Sequence, residues 1–78
     1  MITVKLFGIA REIVGSSSLI VEKNTPTVSD LLNYLKTEYV QLNKLTSLLV
    51  AVNSEYAKMD APISDHDEIA IIPPVSGG

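Results

Sequence analysis

Apolar and polar residues alternate through the opening stretch ITVKLF. Ile2, Val4 and Leu6 fall on one side and Thr3, Lys5 and Phe7 on the other, which is the pattern of a half-buried strand. GIAREIVG then reads as a short helical turn, with Gly15 placed to stop it. SLIVE is a second strand, so the chain opens as a wide hairpin with a decorated loop. PTVSDLLNYLKTEYV carries the clear helical period: Val28, Leu31, Leu32, Leu35 and Tyr39 form one apolar stripe. Thr27 occupies the N-cap position and Asp30 the third helical position, a capping box with Asp in place of Glu. QLNKLTS reads either as a loop or as a frayed extension of that helix.

LLVAVN is apolar almost throughout and predicts a strand covered on both faces. YAKMDAPI predicts a short edge strand and a turn, because Pro62 has no N–H to give a central ladder. SDHDE is a turn and EIAII the last strand, with Ile69 and Ile71 pointing one way and Ala70 and Ile72 the other. Strand, strand, helix, strand, short strand, strand is the order of an α+β, ubiquitin-like β-grasp: a mixed sheet with one main helix packed across it. The expected organisation is one β-grasp domain over 1–74 and a flexible C-terminal Gly-Gly tail over 75–78. Such a scaffold hosts many functions, so the fold by itself decides none.

Composition narrows the classes. The 78 residues are 46% hydrophobic and 19% charged, which is globular rather than disordered. The net charge of −3 does not suggest nucleic acid, whose binding needs clustered Lys and Arg. No apolar run approaches the ~20 residues that cross a bilayer. The start, MITVKLF, lacks the features of a signal peptide, so a cytoplasmic protein with no membrane partner is expected. The absence of cysteine removes disulfides, thiolate metal sites and a thiol nucleophile together.

Within the body little chemistry remains. His66 stands between acids in SDHDE, but consecutive turn residues make a poor ligand set, and a turn role is expected for it, with no metal bound. Ser16, Ser17 and Ser18 have no base near them in sequence, and no phosphate-cradling glycine loop is present. Asp67 and Glu68, adjacent at a strand start, point to opposite faces and cannot share a proton. The chain therefore shows no catalytic site of its own, no bound cofactor and no means of using ATP.

The ending, PPVSGG, is where chemistry is expected. Pro73 and Pro74 end the ladder and favour an extended exit. The six residues from Pro73 to Gly78 reach at most about 20 Å, enough to enter another protein's pocket. Val75, Ser76, Gly77 and Gly78 are small, and the two glycines make the tip thin. A terminal carboxylate, with a pKa near ~3.5, is a poor electrophile at neutral pH and needs activation by a partner, most simply as an acyl-adenylate. The activated carbonyl then accepts sulfur or an amine, which separates a sulfur carrier from a protein modifier. Phe7, Ala70 and Ile72 share the outer face beside this tail and form the expected docking surface, unless Phe7 folds back over the core. Arg11, beside Glu12 in the short turn, is read both as solvated surface and as part of that interface.

The pieces VKLFGIAREIVG, PTVSDLL, LLVAVN and DEIAIIPPVSGG together resemble the MoaD family, the small sulfur-carrier subunits of molybdopterin synthase, over essentially the whole chain. The resemblance implies that an E1-like adenylating enzyme (MoeB-like), spending ATP, activates the C-terminal glycine. A sulfurtransferase supplies sulfur, and Gly78 becomes a 1-thioglycine thiocarboxylate, with Gly77 as the thin neck. The tail then inserts into the large, MoaE-like subunit, where its sulfur builds the dithiolene of molybdopterin. The chain would be the sulfur-donor subunit of a sulfurtransferase. Two positions depart from the family pattern. His66 stands where a turn glycine is usual, implying a small strain, and Ile71 and Ile72 replace aromatics before the prolines. Alternatives sharing the Gly-Gly end are a sulfur carrier for thiamine thiazole synthesis and a ubiquitin-like modifier. The reading of a different class is a binding module with an inert tail.

Overall fold

The computed structural model describes residues 1–45 and 48–73. The alternating opening becomes β1 (Ile2–Leu6), with Ile2, Val4 and Leu6 buried and Thr3 and Lys5 exposed. A short helix, α1 (Gly8–Val14), follows and stops at Gly15. Gly15 has a left-handed φ of 86°, and its N–H reaches the Arg11 carbonyl at 2.8 Å to close the last turn. β2 (Ser18–Val21) then returns antiparallel to β1, pairing Val4 with Leu19.

The main helix, α2 (Val28–Glu38), starts where the capping box predicts. The Thr27 hydroxyl accepts the Asp30 N–H at 3.2 Å, and the Asp30 carboxylate accepts the Thr27 N–H at 3.3 Å. Substituting such a cap costs about 1 kcal/mol. Val28, Leu31, Leu32 and Leu35 are buried on the sheet, while Tyr39 is the half-buried C-cap rather than a helical residue. The ambiguous segment after it is a 3-10 helix at Val40–Lys44. The Asn43 side-chain amide donates to the carbonyls of Lys36 and Val40, both at 3.2 Å, and so serves helix-end acceptors.

Three strands complete the sheet: β3 (Leu49–Val52), the two-residue β4 (Glu55–Tyr56) and β5 (Glu68–Ile72). Their order is β2-β1-β5-β3-β4. β5 runs parallel to β1 and antiparallel to β3, which makes the sheet mixed. With α2 across one face, this is the ubiquitin-like β-grasp. Ile2, Val4, Leu6, Val21, Val50, Ile69 and Ile71 meet the α2 stripe and Leu42 in one core. Burying each such aliphatic side chain contributes about 1.5–3 kcal/mol.

Two expectations are corrected. β3 is not covered on both faces. Val50 is buried, but Leu49 on the other face stays 48% exposed, because the helices all pack on the opposite side of the sheet. His66 bears no left-handed strain. Among the described residues the non-glycine positions with positive φ are Asn53 (53°) and Ser54 (72°). These form the two-residue turn between β3 and β4, a conformation matched to the twist of a tight hairpin. Pro62 bridges Thr27 outside the sheet, as its missing N–H requires. The expected tail over 75–78, and Pro74 before it, lie outside the described residues.

Candidate functional site

β5 carries the site because alternation sorts its side chains cleanly. Ile69 and Ile71 are buried, and Ala70 and Ile72 face the helix-free side. Cross-strand partners share a face, so the register builds the outer surface row by row. Lys5, Ala70, Ala51 and Tyr56 form one row across β1, β5, β3 and β4. Leu49 lies opposite Ile72 in the next row, and Phe7 stands one step beyond the Leu6–Ile71 pair.

A shallow open groove results, lined by Phe7, Ala70 and Ile72 as expected, together with Lys5, Ala51, Ser54, Tyr56 and Glu68. Phe7 does not fold over the core; it is 49% exposed. With Leu49 exposed beside Ile72, the end of the groove next to Pro73 is apolar. The other end is charged: Lys5 Nζ lies 3.2 Å from the Glu68 carboxylate, an exposed pair worth at most about 1 kcal/mol. Arg11 sits exposed on α1 and does not line this groove.

The exit of β5 is fixed by backbone. Phe7 N–H donates to the Ile71 carbonyl at 3.3 Å, one rung past the end of β1. Pro73 is buried and packs on Gly8, whose φ is 56°. Pro73 thus marks where the chain leaves the sheet. The other expected tail residues, Pro74, Val75, Ser76, Gly77 and Gly78, lie outside the described residues.

Sequence reasoning missed Leu49, Tyr56, Lys5 and Gly8. Leu49 and Tyr56 join the surface only through strand register. Gly8, between a strand and a helix in FGIA, carried a local signal: a chain reversing there calls for a residue free in φ.

Among the described residues no three acids or histidines gather as a metal site. His66 stays an exposed turn residue. The first N–H groups of α2, which would attract a phosphate if free, are taken. Val28 N–H goes to the Ala61 carbonyl at 3.0 Å, Ser29 N–H to Met59 at 2.8 Å, and Asp30 N–H to Thr27. The Asp67 carboxyl is perturbed. The Asn53 side-chain amide, at 2.9 Å, and the Ser64 backbone N–H, at 2.8 Å, hold it below the usual aspartate range. That arrangement anchors a turn, and none of Asn53, Ser64 and Asp67 lines the outer groove.

The family model described as ThiS family matches residues 4–78. A molybdopterin synthase sulfur carrier subunit from Dictyostelium discoideum is 40% identical, over 94% of this chain and 91% of that protein. A protein of the same description from Escherichia coli is 36% identical, over 100% of both chains. Among solved structures, SAMP1 from Haloferax volcanii superposes with a TM-score of 0.82 at 30% identity, covering 99% of this chain and 98% of that one. No helix among the described residues is long and apolar enough to cross a membrane.

Proposed function

The chain belongs to the ThiS family, and from that premise we propose that it is the sulfur carrier of a molybdopterin synthase, with Gly78 as the working residue. The observation that carries this reading is that the family match runs through residue 78, so the Gly-Gly ending lies inside the similarity. In this reading an E1-like partner transfers the adenylyl group of ATP to the Gly78 carboxylate and releases pyrophosphate. A sulfurtransferase then delivers sulfur to the carbonyl carbon, AMP departs, and a 1-thioglycine thiocarboxylate remains. In this reading the ATP is bound by the partner.

The large synthase subunit is the proposed receiver. It would cover the apolar end of the outer groove, at Phe7 and Ile72, and take in the segment that follows Pro73. Binding there buries surface that exposed apolar side chains otherwise leave in water. The pocket for the tip must welcome an anion, so a basic lining is expected in the partner.

Deleting Gly78 is the direct test. It draws the terminal carboxylate back by up to ~3.5 Å, and misplacement of 1 Å in a preorganised site can cost about 10²-fold. Sulfur transfer reconstituted with the large subunit and a sulfur source should fall at least 10²-fold. Retention of activity would sink the reading. The likeness to SAMP1, a small archaeal modifier, favours a second reading in which the same terminus joins lysines of other proteins. Intact mass of the protein from its own host separates the two: exchange of one oxygen for sulfur marks the carrier, and an isopeptide-linked adduct marks the modifier.

A further inference from the structure

Gly8 and Gly15 both have positive φ, 56° and 86°, yet their surroundings differ. A Cβ added at Gly15 would meet nothing within 4 Å, so that glycine serves the helix stop alone. A Cβ at Gly8 would stand 3.0 Å from Pro73 Cγ and 3.8 Å from its Cδ. Pro73 is buried, and the neighbouring Phe7 N–H already binds the Ile71 carbonyl at 3.3 Å. The chain leaving β1 and the chain leaving β5 therefore meet at one point, with a hydrogen bond on one side and a proline ring seated on bare backbone on the other.

We propose that Gly8 is a positioning residue for the C-terminal segment: its missing side chain seats the Pro73 ring and so sets the direction in which the chain leaves the sheet. The inference rests on the sulfur-carrier reading and adds to it a residue outside the tail. A proline ring locks its own φ near −65°, so tilting the ring turns everything beyond it. Admitting a Cβ at Gly8 requires the ring to give by a few tenths of an ångström. At about 10²-fold per ångström, that corresponds to a loss of roughly 4–10-fold in a step that depends on placement.

The test is single-turnover sulfur transfer from thiocarboxylated protein to the large subunit, measured for the unaltered chain, Gly8→Ala, Pro73→Ala and the double variant. Thermal melts confirm folding. Should Gly8→Ala fail to fold, Gly8→Asn supplies a Cβ on a residue that tolerates positive φ. Gly8→Ala should slow transfer about 4–10-fold with KM for the large subunit within about twofold. In the Pro73→Ala background, where the obstructing ring is gone, it should cost less than about twofold. Equal losses in both backgrounds would make Gly8 a turn residue only, and an unchanged rate in Gly8→Ala would overturn the proposal outright. An unaltered chain that transfers no sulfur would defeat the carrier reading instead. The positional claim is then decided by amide shifts of Val75 and Ser76. They should move on Gly8→Ala when Pro73 is present and stay in place when it is not; unmoved shifts in both backgrounds overturn it.

Discussion

At its start, β5 is tied down by polar groups. Asn53 N–H donates to the Glu68 carbonyl at 2.8 Å, and the Asn53 side chain accepts the Glu68 N–H at 3.0 Å while donating to Asp67. Asp67 in turn closes the turn at Ser64. At its other end, what β5 has beyond its ladders to β1 and β3 is the Phe7–Ile71 backbone hydrogen bond and a ring packed on a glycine, and Phe7, Leu49 and Ile72 face outward beside it. The polar groups named at the first end bond to one another within the chain. The second end leaves apolar surface uncovered, which costs solubility and returns nothing to the isolated domain. The difference teaches that one strand can close its polar bonds at one end and leave apolar surface open at the other.

Substitutions at the two ends should therefore separate the two properties. The largest effect is expected at Ile72. Ile72→Asp should weaken binding to the large subunit by about 1–3 kcal/mol, roughly 5–150-fold in Kd, while shifting the melting temperature little. Calorimetric titration reads the first quantity and a thermal melt the second; unchanged affinity in a folded variant would move the interface off this face. Asn53→Ala should do the reverse. It removes hydrogen bonds to Asp67 and Glu68 and places alanine at a φ of 53°, for a loss of about 1–2 kcal/mol of stability. Partner affinity should stay as it was, and a matching loss of affinity would dissolve the contrast.

The smallest effect concerns pH. Asp67 has its pKa lowered in the folded state, first by Asn53 and then by Ser64. A lowered folded pKa adds stability above the unfolded value, near ~3.9, and that stability is lost as pH falls through the folded value. Denaturant midpoints of the unaltered chain and Asp67→Asn should thus differ at neutral pH and converge in acid below ~3.9. A gap that stays constant through that range would mean the carboxylate charge is not what the turn uses.

Much of this architecture is legible in the residues because its signals are local. Alternation in ITVKLF and EIAII, the Thr27–Asp30 box and the stripe from Val28 to Leu35 each specify an element without help from elsewhere. The errors arise where distant parts decide. LLVAVN reads as doubly covered because its composition is apolar, yet the layer missing over Leu49 is a property of the whole sheet. The strain expected at His66 came from the family pattern, and among the described non-glycine residues the positive φ angles fall instead at Asn53 and Ser54. For the site, Phe7, Ala70 and Ile72 could be grouped by alternation alone. Tyr56 entered through the β3–β4 register, and Gly8 through a contact between residues far apart in the chain.

The place of β5 between β1 and β3 has a mechanical consequence. A pull applied along the axis of β5 is met in shear by both neighbouring ladders. Their hydrogen bonds must then fail together rather than one after another, as they would if an edge strand such as β2 were peeled away.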